Sequence, residues 1–127
     1  MQKNQLTLQK QRDAVDCGPS CLAMIAKYYG LSPNIDHLRQ QCVLGRNGIS
    51  MLSISKAAEE LGLKTIAGRL SFETLGSEVP LPCIAHWDQH HFVVVYKIGG
   101  HKKGRCTVYV VDPAKGFVTY YCCPLKL

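Results

Sequence analysis

The sequence predicts an α+β fold, with helices from the first half packed on an antiparallel sheet from the second. Apolar residues recur at helical spacing up to Gly62, and short apolar runs separated by turn residues follow from Cys83 onward. The connections between those runs are too short for the crossovers that parallel strands require. At 127 residues and 46% hydrophobic content, the chain suits one domain, residues 1–127, built around one core.

The first helix is expected over Pro19 to Tyr29. Leu22, Ile25, Ala26 and Tyr29 share one face, Pro19 suits a first turn, and Gly30 is placed to end it. A second, short helix is expected from Asn34 or Asp36 to about Cys42. A third runs from about Ser50 to Leu61, carrying Leu52, Ala57, Ala58 and Leu61, with Gly62 as its C-terminal cap. The second half reads as strands: a short, mixed Lys64–Leu70, then Cys83–Trp87, His91–Ile98, Cys106–Val111 and Phe117–Cys122. Asp112-Pro113-Ala114-Lys115-Gly116 is the turn between the last two.

Fifteen basic against nine acidic residues give a net charge of +6. Lys97, His101, Lys102, Lys103 and Arg105 crowd around glycines, which reads first as the solvated tip of a hairpin. No aromatics are interleaved with them, so nucleic acid is not an expected partner. No apolar run approaches the roughly 20 residues of a membrane span, and the polar start Met1–Leu6 lacks a secretory signal. The expected location is cytoplasmic.

Seven cysteines, an odd number, are then expected as reduced thiols. Cys17 lies in Asp16-Cys17-Gly18-Pro19, immediately before the first helix. Unpaired N–H groups and the positive end of the helix dipole favour a thiolate there, and the same N–H groups can stabilise an oxyanion. Cys21, one turn on, reads as packing; a Cys17–Cys21 disulfide would have strained geometry. A general base can come from the strand that follows His86-Trp87-Asp88-Gln89-His90-His91. Strand alternation groups His91 with Val93 and Val95, and His90 with Phe92, Val94 and Tyr96, without choosing between the two histidines. Asp112 ends the next apolar strand, where it can orient an imidazole or simply open a turn before Pro113. The Gln11 amide can donate to an oxyanion. The histidines and Cys122-Cys123 offer the competing reading of a zinc site, but there is no Cys-x2-Cys pair and such ligands would compete with the base, so neither metal nor cofactor is expected.

The order Gln, Cys, His, Asp, with Cys at a helix and His and Asp on successive strands, is that of a papain-like thiol protease. Gln11-x4-Asp16-Cys17-Gly18-Pro19-Ser20-Cys21-Leu22-Ala23-Met24-x3-Tyr28-Tyr29-Gly30 resembles the signature of the C39 peptidases. So do Leu81-Pro82-x-Ile84-Ala85-His86-Trp87, His91-Phe92-Val93-Val94 and Asp112-Pro113. The similarity runs from about Gln9 to Tyr120. It implies a papain-like fold and cleavage of leader peptides of bacteriocin-like cargo after Gly-Gly. It further implies Cys17 as nucleophile, His91 as base, Asp112 as its orienting acid and Gln11 in the oxyanion hole, with His86 structural. The partners it implies are a double-glycine leader, read through an apolar groove, and the membrane and ATPase domains of an ABC transporter. In that setting the domain would lie on the cytoplasmic face of the membrane. The 127 residues contain no phosphate-binding loop, so transport would need other domains. The alternatives are a non-catalytic C39-like module that docks export substrates, or a thiol hydrolase of another kind.

Overall fold

The computed structural model describes residues 6–10, 16–42, 50–66, 68, 80–88, 91–99 and 106–122. In chain order these form α1 (Cys17–Tyr28), α2 (Ile35–Cys42), α3 (Met51–Glu60), β1 (Cys83–Asp88), β2 (His91–Gly99), β3 (Cys106–Asp112) and β4 (Gly116–Cys122). The strands form one antiparallel sheet in the order β1-β2-β3-β4, as expected for consecutive hairpins.

The helix boundaries follow local chemistry. Residues Cys17 to Ala26 of α1 are all buried, so this helix is the centre of the molecule rather than an amphipathic surface rod. It ends in a Schellman motif: Gly30, at φ +85°, donates to Lys27 O (3.0 Å), and Leu31 donates to Ala26 O (2.9 Å). The same arrangement closes α3, where Gly62 (φ +92°) donates to Glu59 O and Leu63 to Ala58 O. Asn34 caps α2 by accepting from the backbone of Asp36 (2.9 Å) and His37 (3.2 Å). A capping box of Ser50 and Ser53 starts α3.

Two boundaries correct the sequence reading. The first helix begins at Cys17, not Pro19, so Cys17 is its first residue rather than the one before it. Proline is tolerated at the third helical position because the first N–H groups of a helix lack intrahelical acceptors anyway. In the Lys64–Leu70 segment, residues 64–66 and 68 form no strand, and the others lie outside the described residues. The four expected strands are present, each extended by one residue at one end.

Both faces of the sheet are buried. Phe92, Val94 and Val111 join α1, α2 and α3 in the main core, whereas Val93, Val95, Val108 and Val110 form a second cluster on the opposite face. This is the alternation read from the sequence, with apolar residues on both sides. α1 packs mainly on β2 and is flanked by α2 and α3. Leu38 is 1% exposed and anchors α2 in the main core. Leu38→Ala should therefore lower unfolding stability by about 2–5 kcal/mol, read as a lower urea midpoint, because the packed helices cannot close the cavity.

Candidate active site

Cys17 occupies the first position of α1, and its residue is 2% exposed. It lies in the same buried cluster as Phe92 and Val111, the chain neighbours of His91 and Asp112. α1 thus shares its core with the residues next to the start of β2 and the end of β3.

His91 Nε2 and Asp112 Oδ1 are 2.8 Å apart. The register explains the pairing. Val94 faces Val111, so the start of β2 and the end of β3 come to the same end of the sheet. Asp112 is 2% exposed and is fixed by its own turn, since Ala114 N–H donates to the same Oδ1 at 2.8 Å. With an ionised carboxylate as acceptor, Nε2 carries the ring proton and Nδ1 keeps its lone pair, the tautomer a general base requires. The histidine choice that alternation left open therefore has a geometric observation on one side: His91 meets an acid. His90 and Gln11 lie outside the described residues. His86 stacks on Phe92, with ring centroids 4.5 Å apart and planes 14° from parallel, as suits a structural role beside His91.

Burial shifts the other described thiols upward. Desolvation pushes Cys21 well above the ordinary range, and negative charge at Cys17 and Asp112 pushes it further. Burial raises Cys42 and Cys83 to about 11. No group of three or more His, Cys, Asp or Glu residues arranged to hold a metal occurs among the described residues.

Two features were missed in the sequence. Arg39 of α2 grips the buried Asp16 with two nitrogens, Nε to Oδ1 at 2.5 Å and Nη2 to Oδ2 at 3.0 Å. The acid, immediately before Cys17, was visible; its partner, on another helix, was not. The second is an apolar groove of 660 Å³ formed by Leu22, Ile25 and Tyr29 of α1, Met51, Ile54 and Ala58 of α3, and Cys83 and Ile84 of β1. Helical spacing predicted apolar faces on α1 and α3, but not the space left between them. Ser55, Thr65 and Lys64 supply its polar edge, with Ser55 and Thr65 hydrogen-bonded to each other.

Residues 5–121 match the model of the peptidase C39 family. The chain belongs to the peptidase C39 family. It is 39% identical over 111 residues to the lactococcin-G-processing and transport ATP-binding protein LagD of Lactococcus lactis, an overlap of 84% of this chain and 15% of the relative. It is 37% identical over 106 residues to the probable microcin-H47 secretion/processing ATP-binding protein MchF of Escherichia coli, covering 84% and 14%. The chain thus spans about one seventh of the length of these relatives. Among solved structures, a double glycine motif protease from an AMS/PCAT transporter, in complex with the leader peptide, superposes with TM-score 0.82 at 34% identity, covering 93% of this chain and 81% of the other. The peptidase domain of Streptococcus ComA gives 0.77 at 28% identity, covering 91% and 86%. The expected C39 fold of helices on an antiparallel sheet is therefore the observed one.

The buried thiols of this C39 chain make stability depend on alkaline pH. In the native state Cys42 and Cys83 hold their protons to about 11, against 9.0 for an ordinary thiol. Below about pH 9 their contribution is complete, and it is lost as pH rises through 11, because the unfolded chain releases these protons first. The urea midpoint should fall across this window, and Cys42→Ala should remove part of the fall.

Proposed function

We propose that the protein is a cysteine endopeptidase that cleaves leader peptides of bacteriocin-like cargo after a Gly-Gly motif. Cys17 is the nucleophile, His91 the base, Asp112 the orienting acid and Gln11 the oxyanion donor. The observation that carries this reading is the 2.8 Å His91–Asp112 contact beside a helix whose first residue is Cys17. Membership of a peptidase family, and relatives named for processing and transport, support it.

The steps follow acyl-transfer chemistry. Nδ1 of His91 takes the Cys17 proton, giving a thiolate–imidazolium pair; the thiolate attacks the carbonyl carbon of the second glycine. The developing oxyanion is met by N–H groups at the start of α1 and by the Gln11 amide. The imidazolium, stabilised by Asp112, gives its proton to the leaving amine as the peptide bond breaks. Water, deprotonated by His91, then attacks the thioester, and the thiol reforms as the leader's carboxylate is released. The groove begins at Leu22, roughly 8 Å along the helix axis from Cys17, and its apolar walls suit one face of an amphipathic leader helix. A similar solved structure, a double glycine motif protease in complex with the leader peptide, supports a leader as the ligand. Transporter membrane and ATPase domains are the proposed partners, and the cytoplasmic side of the membrane the proposed location. Among the described residues, no helix is long and apolar enough to cross a membrane.

A synthetic double-glycine leader peptide tests the reading. The wild-type chain should release the leader with Gly-Gly at its new C-terminus, and Cys17→Ala should not. Binding without cleavage would instead identify a docking module. The two Asp112 variants should differ. Asp112→Ala should lower kcat about 10²–10⁴-fold by freeing the imidazole. Asp112→Asn should cost only about tenfold, because Ala114 N–H keeps the amide oxygen facing Nε2 and the loss is one charge interaction of roughly 1–2 kcal/mol.

A further inference from the structure

We infer that Arg39 is a positioning residue for the Cys17 nucleophile: by neutralising the buried Asp16 carboxylate, it lets the positive end of α1 act on the sulfur. The inference rests on the proposed role of Cys17 and adds a residue from outside the Cys-His-Asp set.

Asp16 is the residue immediately before Cys17 and is 4% exposed. A carboxylate at a helix start is normally favourable, since it complements the dipole. Beside a sulfur that must ionise, the same charge is harmful, because a like charge within roughly 4–6 Å disfavours the anion. Burial makes this worse by removing the water that would screen it. Arg39 answers both problems with one group. Its fork meets both carboxylate oxygens, at 2.5 and 3.0 Å, while Ser20 Oγ donates to Oδ2 at 3.4 Å from the first turn of α1. The hydrogen bond to Asp16 holds the guanidinium protonated even more firmly than usual. Arg39 is itself steadied from the other side, where Nη1 donates to Asp36 Oδ1 at 2.8 Å. The helix that carries it is pinned by buried Leu38 and Cys42 on either side of Arg39 in sequence.

Among the described residues, the other ionisable groups on α1 and on the elements that pack against it include these. Cys21 lies on the same helix, and its raised position keeps it neutral. On the packed sheet His91 opens β2 and is paired with Asp112 at the end of β3, while His86 of β1 stacks on Phe92. The charged residues of α3, Lys56, Glu59 and Glu60, face solvent. Among the described residues, Asp16 and Arg39, with Asp36 on the outer side of the guanidinium, are the charged group at the residue before Cys17.

Charge variants separate this role from a merely structural one, because their effects differ in sign. The readout is the pH dependence of Cys17 alkylation by iodoacetamide in the full chain, followed by mass mapping of the Cys17 peptide. Cys42 and Cys83, raised to about 11, stay largely protonated in the working range. Arg39→Gln should move the alkylation midpoint up by about one pH unit, and Asp16→Asn should move it down by about the same. The double variant should return it to within about 0.3 of wild type, and Arg39→Lys, which keeps the charge, should hold it there. Single variants that move the midpoint in the same direction, or not at all, would overturn the inference, as would a double variant that keeps the Arg39→Gln shift. If circular dichroism shows that Arg39→Gln does not fold, Asp16→Asn and Arg39→Lys decide: an unlowered midpoint in the first, or a raised one in the second, rejects the idea. Alkylation needs no turnover. Absent leader cleavage with these shifts intact would count against the peptidase reading alone.

Discussion

The architecture depends on α1 being buried from its first residue. A helix with Cys17 to Ala26 all enclosed takes its packing partners from the protein on every side, its N-terminal turn included. Asp16 begins the hydrogen-bonding by accepting from Ser20 N at 3.1 Å through its backbone carbonyl, and its carboxylate needs a cation. Arg39 supplies one, which requires α2 to lie across the helix start. The sheet closes the other side through Phe92, Val94 and Val111, carrying His91 and Asp112 in with their neighbours. The site is thus where a buried helix end is completed by three other elements.

Much of this was legible in the residues because the controlling interactions are local. Gly30 and Gly62 announced helix ends, since both take positive φ in a Schellman motif that disfavours side chains. The apolar runs of β2 and β3 announced strands, and Asp112-Pro113 with Gly116 announced the turn between β3 and β4. What stayed hidden was tertiary. The His91–Asp112 contact joins residues 21 apart in sequence on two strands, which alternation along one strand does not encode. The Asp16–Arg39 pair joins residues 23 apart in sequence through the crossing of two helices. The groove exists because α1, α3 and β1 leave space between apolar faces, which no single periodicity encodes. The start of α1 was misplaced for a different reason: Pro19 marks a first turn without saying which of its positions it fills.

An ion pair with one partner buried is poor support for stability, since desolvating that charge offsets much of the attraction. Packing therefore does not explain why a carboxylate and a guanidinium stand at the start of α1. An electrostatic role does. The two charges cancel at a distance while fixing the first turn in place, so the helix field at Cys17 is retained and its geometry is rigid. At Cys21, Cys42 and Cys83 burial suppresses ionisation.

On the proposed reading, one rigid element carries both recognition and chemistry. Leu22, Ile25 and Tyr29 line the groove from the same helix whose first residue is the nucleophile. The separation between a leader's apolar contacts and its scissile bond is then set by helix rise, about 1.5 Å per residue, rather than by a flexible loop. Binding energy gained in the groove can position a carbonyl at the sulfur without ordering a second element, which is how remote contacts lower a barrier. A leader shifted by a single helical turn would bring a different peptide bond, roughly 5 Å away, to Cys17. Selectivity for the cleavage point thus has two sources, the register of the leader in the groove and the close fit required beside the sulfur, and α1 enforces both.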